Sequence, residues 1–418
     1  MALRTTGLSH DDTLQALDAM KVDDVRWREG RAFTLAYNAG EEVLAVAEAA
    51  YRRFSTENAL NTDAFPSLRR IQAEVVDIAL GWLQGPPGSA GFMTSGGTES
   101  ILLAVKGSRQ RGLRERNITR PNVVLPTSAH AAFEKACYYF GLESRRVPVG
   151  PDWRADPSAM AAAIDADTVL IVASAPQYPQ GVIDPVEAVA AIAAEWDISC
   201  HVDACMGGVT LGYLARLGHA IPPWNFAVEG VTSMSVDLHK FGYTAKGASV
   251  IAYRTKALRA DQTYVTDNWL GGLYGSSGIL GTKSGGSMGA AWAVLNFLGD
   301  EGYLRLTAAA RRATEEIVAA VRARPLLALR AAPDATLVAI GAADPKTLDV
   351  NAVAEALWRR GWYVDRQGPP PSLHLTVNAI HDGKVPEFLV DLDASIVEVL
   401  AARAARATGA EGSYGSVE

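Results

Sequence analysis

Cysteine is scarce in this chain. Its 418 residues include three, Cys137, Cys200 and Cys205. They form neither a metal-ligand spacing nor a disulfide framework, which excludes a stapled secreted scaffold and fits a reducing cytoplasm. Long apolar runs are also missing. No stretch approaches the roughly 18–20 residues a membrane span needs, and the opening MALRTTGLSHDD lacks the apolar core of a signal peptide. A cytoplasmic protein with no membrane span is the expectation. Positive charge is not in excess: the formal net charge is −7. A nucleic-acid binder would concentrate Lys and Arg on one face, so that partner is not expected. Internal repeats and low-complexity segments are absent too.

Hydrophobic residues make up 49% of the chain, enough for a large domain with a smaller companion. Residues 41–54 and 67–84 have helical apolar spacing. Short runs then alternate with longer amphipathic ones. VVL (123–125), TVLIVASA (168–175), ISCHVDA (198–204), VTSMSVD (231–237) and ASVIAY (248–253) read as buried strands. AAFEKACYYFG (131–141) and DPVEAVAAIAAEW (184–196) read as helices between them. The alternation predicts an α/β fold with a mostly parallel sheet covered on both faces, with ligands beyond the carboxyl ends of its strands. After the glycine-rich stretch 271–289, a long helical region to about Arg324 leads into a small α+β domain. That domain contains TLVAIG (336–341), a helix near 349–360, WYVDR (362–366) and SLHLTVN (372–378). The Ala-, Gly- and Ser-rich tail from about residue 404 reads as frayed.

Four features lie at predicted strand ends. Lys240 follows VTSMSVD; desolvation or flanking cations would lower its pKa and suit it to Schiff-base chemistry, although a lone lysine is ordinarily a solvated surface charge. Asp203 ends ISCHVDA, where an unpaired carboxylate is costly to bury. It suits a protonated pyridine nitrogen, or a helix cap or structural ion pair. TSGGTES (94–100) opens an apolar helical run. Gly96 and Gly97 let the backbone approach an anion, and Ser95 and Thr98 add hydroxyls; Ser95 with Thr98 and Glu99 also resembles a capping box. Neither GxxxxGK[ST] nor GxGxxG is present, so nucleotide motifs fit poorly. His130 could stack on a flat ring or serve as a structural histidine. Together these four read as a pyridoxal-phosphate (PLP) enzyme of the aspartate-aminotransferase-like fold (fold type I).

TSGGTESILLAVKG, TSAHAAFEKACYYFG, HVDACMGG, GVTSMSVDLHKFGYTAKGASV and, more loosely, WLGGLYGSSGILGTKSGG carry a resemblance. From about residue 24 to about 310 the chain resembles the sphingosine-1-phosphate lyases, within the PLP-dependent decarboxylases. HVDA and HK alone mark the wider group; HKFGYTAKG is more specific to the lyase branch. The resemblance implies that Lys240 carries the cofactor as a Schiff base and that Asp203 pairs with its ring nitrogen. It has His130 stacking on the ring, and Gly96, Gly97 and Thr98 holding its phosphate with His239. Tyr178 matches an active-site tyrosine and a candidate proton carrier. Tyr37 and Lys246 match residues at the substrate phosphate, and Asn58 matches a pocket asparagine. GTKSGG is expected to come from a neighbouring subunit, so a homodimer with shared sites is implied. The expected division is an N-terminal segment (1–60) contributing to site and dimer, a large PLP-binding domain (61–290) and a small C-terminal domain (291–418).

Two departures bear on substrate. Where the family usually reads S-N-P-L-H-P-D-x-F-P, this chain reads ENALNTDAFP, so Asn61 replaces a pocket histidine and both prolines are gone. Asparagine cannot move a proton near neutrality as histidine can. Leu35 stands where the family has a small residue, which suggests a smaller substrate or a different β-substituent. The leading expectation is a PLP-dependent carbon–carbon lyase that cleaves a phosphorylated β-hydroxy amine to an aldehyde and ethanolamine phosphate. An amino-acid decarboxylase is the alternative, and a PLP-binding protein that has lost catalysis is the third. SLHLTVN lacks the arginine with which aminotransferases clamp an α-carboxylate, which weighs against transamination.

Overall fold

The computed structural model describes residues 2–409. At the N-terminus, α1 (His10–Ala19) lies on the surface with no buried residue. α2 (Glu41–Arg53) and α3 (Pro66–Trp82) follow. Proline in the first turn of α3 lacks only an N–H that the helix would leave unpaired anyway. α3 then buries Leu68, Ile71, Val75, Val76 and Ala79, the stripe its spacing predicts.

Strands and helices alternate from there: β1 (Ala90–Thr94), α4 (Gly97–Arg116), β2 (Asn122–Pro126), α5 (Ala132–Phe140), β3 (Glu143–Val147), α6 (Pro157–Ala162) and β4 (Thr168–Ser174). The series continues with α7 (Val186–Glu195), β5 (Ser199–Asp203), α8 (Thr210–Arg216), β6 (Ser233–Val236) and β7 (Ser249–Tyr253). These strands form one seven-stranded sheet, ordered β1-β7-β6-β5-β4-β2-β3. β7 is antiparallel to both its neighbours, and the other pairings are parallel. The expected mostly parallel α/β sheet is therefore present. Every residue of β2, β4, β5, β6 and β7 is buried, which explains why they read as continuous apolar runs. β1 and β3 escaped the sequence reading. Each sits at a sheet edge, and β3 (ESRRV) has one fully buried residue.

α9 (Lys256–Ala260) and a hairpin of β8 (Tyr264–Thr266) and β9 (Tyr274–Ser276) lead to α10 (Gly286–Arg322). α10 begins against α2 and α3. A Cβ on Gly289 would lie 2.5 Å from the Phe54 ring, so only glycine allows this approach. Non-helical backbone at Gly299 kinks the helix. Its residues up to Leu306 pack in the large core, and those from Ala313 pack in the second. The two cores thus share α10 and do not part at residue 290.

The second core is built on a four-stranded antiparallel sheet, β10-β11-β13-β12, from β10 (Leu327–Leu329), β11 (Leu337–Ala342), β12 (Asp365–Gln367) and β13 (Ser372–Thr376). α11 (Val350–Arg359) and α12 (Val385–Gly409) cover it. Phe33 of the N-terminal segment is fully buried here, stacked on His381 and against Phe388. The N-terminal segment therefore ties to the small domain. The tail expected to fray from about residue 404 is helical to Gly409; residues 410–418 of it lie outside the described residues.

Candidate active site

β2, β4, β5 and β6 run parallel, so their carboxyl ends share one edge of the sheet. His130 follows β2, Tyr178 follows β4, Asp203 closes β5 and Lys240 follows β6. All four line one cavity of about 620 Å3, with Ser95, Gly96, Gly97, Thr98, His239, Tyr37, Lys246 and Leu35. The fold thus gathers residues that lie far apart in sequence.

Lys240 Nζ lies 3.0 Å from Asp237 Oδ2. Burial, the largest single influence, would lower the lysine's pKa, but Asp237, with Cys205, Tyr37 and Asp203 adding to it, holds the amine above its ordinary value. The lowered pKa expected from the sequence is therefore reversed, because a carboxylate and not a cation is its nearest charge. Asp237 is itself held low: Lys240 and His239 overcome a burial that would raise it. Its Oδ1 is buried with no hydrogen-bond partner among the described residues.

Asp203 is fixed from below. Its Oδ1 accepts from the Cys205 N–H at 3.0 Å and from Ser235 Oγ at 3.2 Å. The parallel register places Asp203 beside Ser235 on β6 and Ser174 on β4. His201, two residues earlier on the same face, lies 2.9 Å from Ser233 Oγ and 3.2 Å from Ser235 Oγ. Burial lowers its pKa to about 4, so it is neutral.

The cradle at the start of α4 is narrow. A Cβ on Gly97 would meet Cys205 Sγ at 2.7 Å and Asp237 Oδ2 at 2.8 Å. Ser95 donates through both its N–H and Oγ to Glu99 Oε2, at 2.6 and 2.7 Å. Its hydroxyl is thus engaged with Glu99, but the helix cap is Gly96 with no side-chain cap bond, so the capping box does not form; Thr98 is exposed to the cavity. Glu99 Oε1 accepts from the Ile279 N–H at 2.7 Å and ties the cradle to the glycine-rich loop. His239 accepts from the Ala248 N–H through Nδ1 at 3.1 Å, and burial lowers its pKa. His130 accepts from the Ala132 N–H through Nδ1 at 3.0 Å and is exposed on the rim.

Lys246 Nζ donates to the His239 carbonyl at 3.1 Å and sits 4.7 Å from the centre of the Tyr37 ring. It is open to cavity water, but the surrounding protein and the nearby Lys240 charge bring its pKa down to about 8. Lys246, Tyr37, Thr34 and Leu35 also line a second, adjoining cavity of about 860 Å3. Val25, Trp27, Leu44, Ala47, Tyr51 and Trp358 give that cavity apolar walls. Leu35 stands between the two cavities, 68% exposed and at φ +65°, a conformation that strains a leucine.

Tyr178 Oη donates to Asp365 Oδ2 at 2.9 Å, and its ring lies 4.1 Å from that of His374. The network raises its pKa to about 12, chiefly through burial, with the Asp365 charge adding to it. Asn58 and Asn61 do not line either cavity. Asn58 forms a β-bridge with Ser284 of GTKSGG and accepts from the Leu60 N–H at 3.0 Å. Asn61 caps a turn by accepting from the Asp63 N–H at 3.0 Å and the Ala64 N–H at 3.3 Å. Within one chain these two asparagines shape the backbone beside the 281–286 stretch.

Sequence reasoning passed over Asp237, Thr34, Asp365 and His374. Asp237 was available, three residues before the lysine in SVDLHK. The other three gather around Tyr178 from distant segments, which no local pattern reveals.

An orphaned carboxylate oxygen beside a buried amine, and a cradle that a single methyl group would fill, fit a flat, phosphate-bearing aldehyde. The fold and this site define a PLP-dependent lyase of fold type I. A model of the pyridoxal-dependent decarboxylase conserved domain matches residues 21–341. The sphingosine-1-phosphate lyase of Oryza sativa is 38% identical over 407 residues, covering 96% of this chain and 75% of that protein. The structure of the Burkholderia pseudomallei sphingosine-1-phosphate lyase superposes with a TM-score of 0.91 at 36% identity, covering 98% of this chain and 96% of that one. A Lactobacillus brevis glutamate decarboxylase shares the fold, with a TM-score of 0.83 at 17% identity over 96% of this chain and 95% of that one. The chain belongs to the pyridoxal-dependent decarboxylase family and, within it, to the sphingosine-1-phosphate lyases.

Proposed function

We propose that this enzyme cleaves the Cα–Cβ bond of a phosphorylated β-hydroxy amine of the sphingosine-1-phosphate type, giving an aldehyde and ethanolamine phosphate. One observation carries the reading. The cavity holding Lys240 and Asp203 adjoins a larger, mostly apolar cavity, and Thr34, Leu35, Tyr37 and Lys246 line both. The amine, the phosphate and the aliphatic chain of such a substrate each find a counterpart among these walls: Lys240, Lys246 and the apolar side chains of the larger cavity. The smaller substrate suggested by Leu35 finds no support in the space available, because about 860 Å3 lies beyond it.

The chain's residues divide the work. Lys240 would carry PLP covalently, Asp203 would face its ring nitrogen, and His130 would cover its ring. Gly96, Gly97, Thr98 and His239 would take its phosphate. When bound, PLP supplies an electron sink for the pair released by the breaking bond. Lys246 binds the substrate phosphate, with Tyr37 held beneath its ammonium. Tyr178 takes the proton of the β-hydroxyl, and Lys240 is the nearest amine for reprotonating the α-carbon. A homodimer is supported by the exposed apolar residues Trp269, Leu270, Leu273, Ile279 and Leu280 flanking the GTKSGG stretch. A cytoplasmic location is supported by three free, buried cysteines.

A substrate panel tests the reading. Phosphorylated β-hydroxy amines should turn over, while their dephosphorylated forms bind weakly and amino acids release no carbon dioxide. Carbon dioxide from an amino acid, without aldehyde from any amine, would replace this reading with decarboxylation.

A further inference from the structure

Tyr178 is held from the small domain, across 187 residues of sequence. Asp365 on β12 accepts from Tyr178 Oη at 2.9 Å and from Thr34 Oγ1 at 3.0 Å, both on Oδ2. It has no cationic partner within salt-bridge distance among the described residues. The His374 ring packs on Tyr178, and Nε2–H donates to the Tyr178 carbonyl at 2.8 Å. That bond fixes the histidine tautomer. The phenol is therefore clamped by its ring, its backbone and its hydroxyl.

We propose that Asp365 is a positioning residue for Tyr178 and the destination of its proton. The phenol donates to Asp365, so its oxygen is left to accept from the cavity it lines. When the substrate's β-hydroxyl gives its proton to Tyr178 Oη, the phenol's own proton passes to Asp365 Oδ2. One substrate O–H bond breaks and one carboxylic O–H bond forms. The β-oxygen becomes the aldehyde carbonyl as the Cα–Cβ bond breaks, and PLP, when bound, would supply the sink for that bond's electron pair. Tyr178 remains a neutral phenol throughout, which spares the site a buried phenolate. This assignment rests on the lyase reading above.

The titratable and hydroxyl groups around the phenol are Asp365 on β12, His374 and Thr376 on β13, and Thr34 and Tyr37 from the N-terminal segment. Lys240 lies across the cavity. Burial holds His374 neutral, with its pKa lowered to about 4. Asp365 is the anion bonded to the phenol.

Two measurements decide the matter. In protein without substrate, NMR of isotope-labelled tyrosine follows the Tyr178 phenol, assigned by its loss in Tyr178→Phe. Asp365→Asn should lower its pKa by about one unit or more, because a raising charge is removed. Thr34→Val should raise it, because Thr34 Oγ1, 3.3 Å from the phenol oxygen, favours its ionised form and is removed. In turnover, Asp365→Asn should lower kcat about a hundredfold with KM changed less than about threefold, and Asp365→Glu should recover part of the loss. An unchanged tyrosine titration, or a kcat within about twofold of wild type, overturns the proposal. Unchanged melting temperature and cofactor absorbance in Asp365→Asn separate these effects from misfolding. If the wild-type protein shows no lyase activity, the function fails, but the titration still tests the Asp365–Tyr178 pair.

Discussion

Asp237→Asn isolates the charge that governs Lys240. The wild-type carboxylate lies 3.0 Å from the amine and is 2% exposed. At that separation and an effective dielectric of about 20, the attraction is about 5 kcal/mol. This corresponds to nearly a 10⁴-fold difference in the amine's proton affinity. Burial opposes it and is the largest single influence on the lysine. Without the carboxylate, burial should therefore bring Lys240 below the ordinary lysine value. The assay is pulse labelling of the cofactor-free protein with an amine-reactive anhydride across a pH series, with each peptide quantified by mass spectrometry. Wild-type Lys240 should label only at the alkaline extreme, and the variant should label near neutrality. Lys106 is an internal control, since its ammonium donates to the carbonyls of Asp261, Gln262 and Thr263, away from this site. Coincident Lys240 midpoints in the two proteins would refute the reasoning. The same pair has a stability signature. Asp237 is lowered and Lys240 raised, so their contribution is full between the ordinary carboxylate and lysine values. It fades as pH falls through the lowered Asp237 value and as pH rises through the raised Lys240 value. The variant should lack that contribution throughout.

Other outcomes follow from the same geometry. KM for a phosphorylated amine should climb as pH passes about 8, where Lys246 loses its proton; a flat KM profile through that range would contradict its phosphate role. Gly97→Ala places a methyl group 2.7 Å from Cys205 Sγ and 2.8 Å from Asp237 Oδ2. Its cofactor affinity, read by absorbance titration, should fall with a stability loss of about 1–3 kcal/mol. Lys240→Ala should abolish the visible absorbance band of the cofactor-loaded protein. Leu35→Gly relieves a leucine at φ +65° and removes a side chain that lines both cavities. It should favour longer-chain substrates in kcat/KM over short ones, and an unchanged chain-length preference would show that Leu35 does not meet the substrate chain.

The large sheet was legible because its central strands are short, β-branched and buried on both faces. β3 was not, since its Glu143, Ser144, Arg145 and Arg146 read as a polar loop and gain strand character only by pairing with β2. The site followed the same division. Lys240, Asp203, His130 and TSGGT announce themselves because parallel-sheet sites collect at strand ends. Asp365 gives no such signal: in WYVDR it is one more polar residue until β12 pairs with β13 and brings it under Tyr178. Asn61 shows the converse. Its departure from the family motif is plain in sequence, yet in the fold it caps a turn outside both cavities.

The central claim is that the bond broken lies between Cα and Cβ of a phosphorylated amine. The cofactor-loaded enzyme should therefore be incubated with a long-chain phosphorylated β-hydroxy amine, and both products quantified by mass spectrometry. The account predicts aldehyde and ethanolamine phosphate in equal amounts, with both lost in Lys240→Ala. Unconsumed substrate from fully loaded enzyme, or consumption without aldehyde, would contradict it.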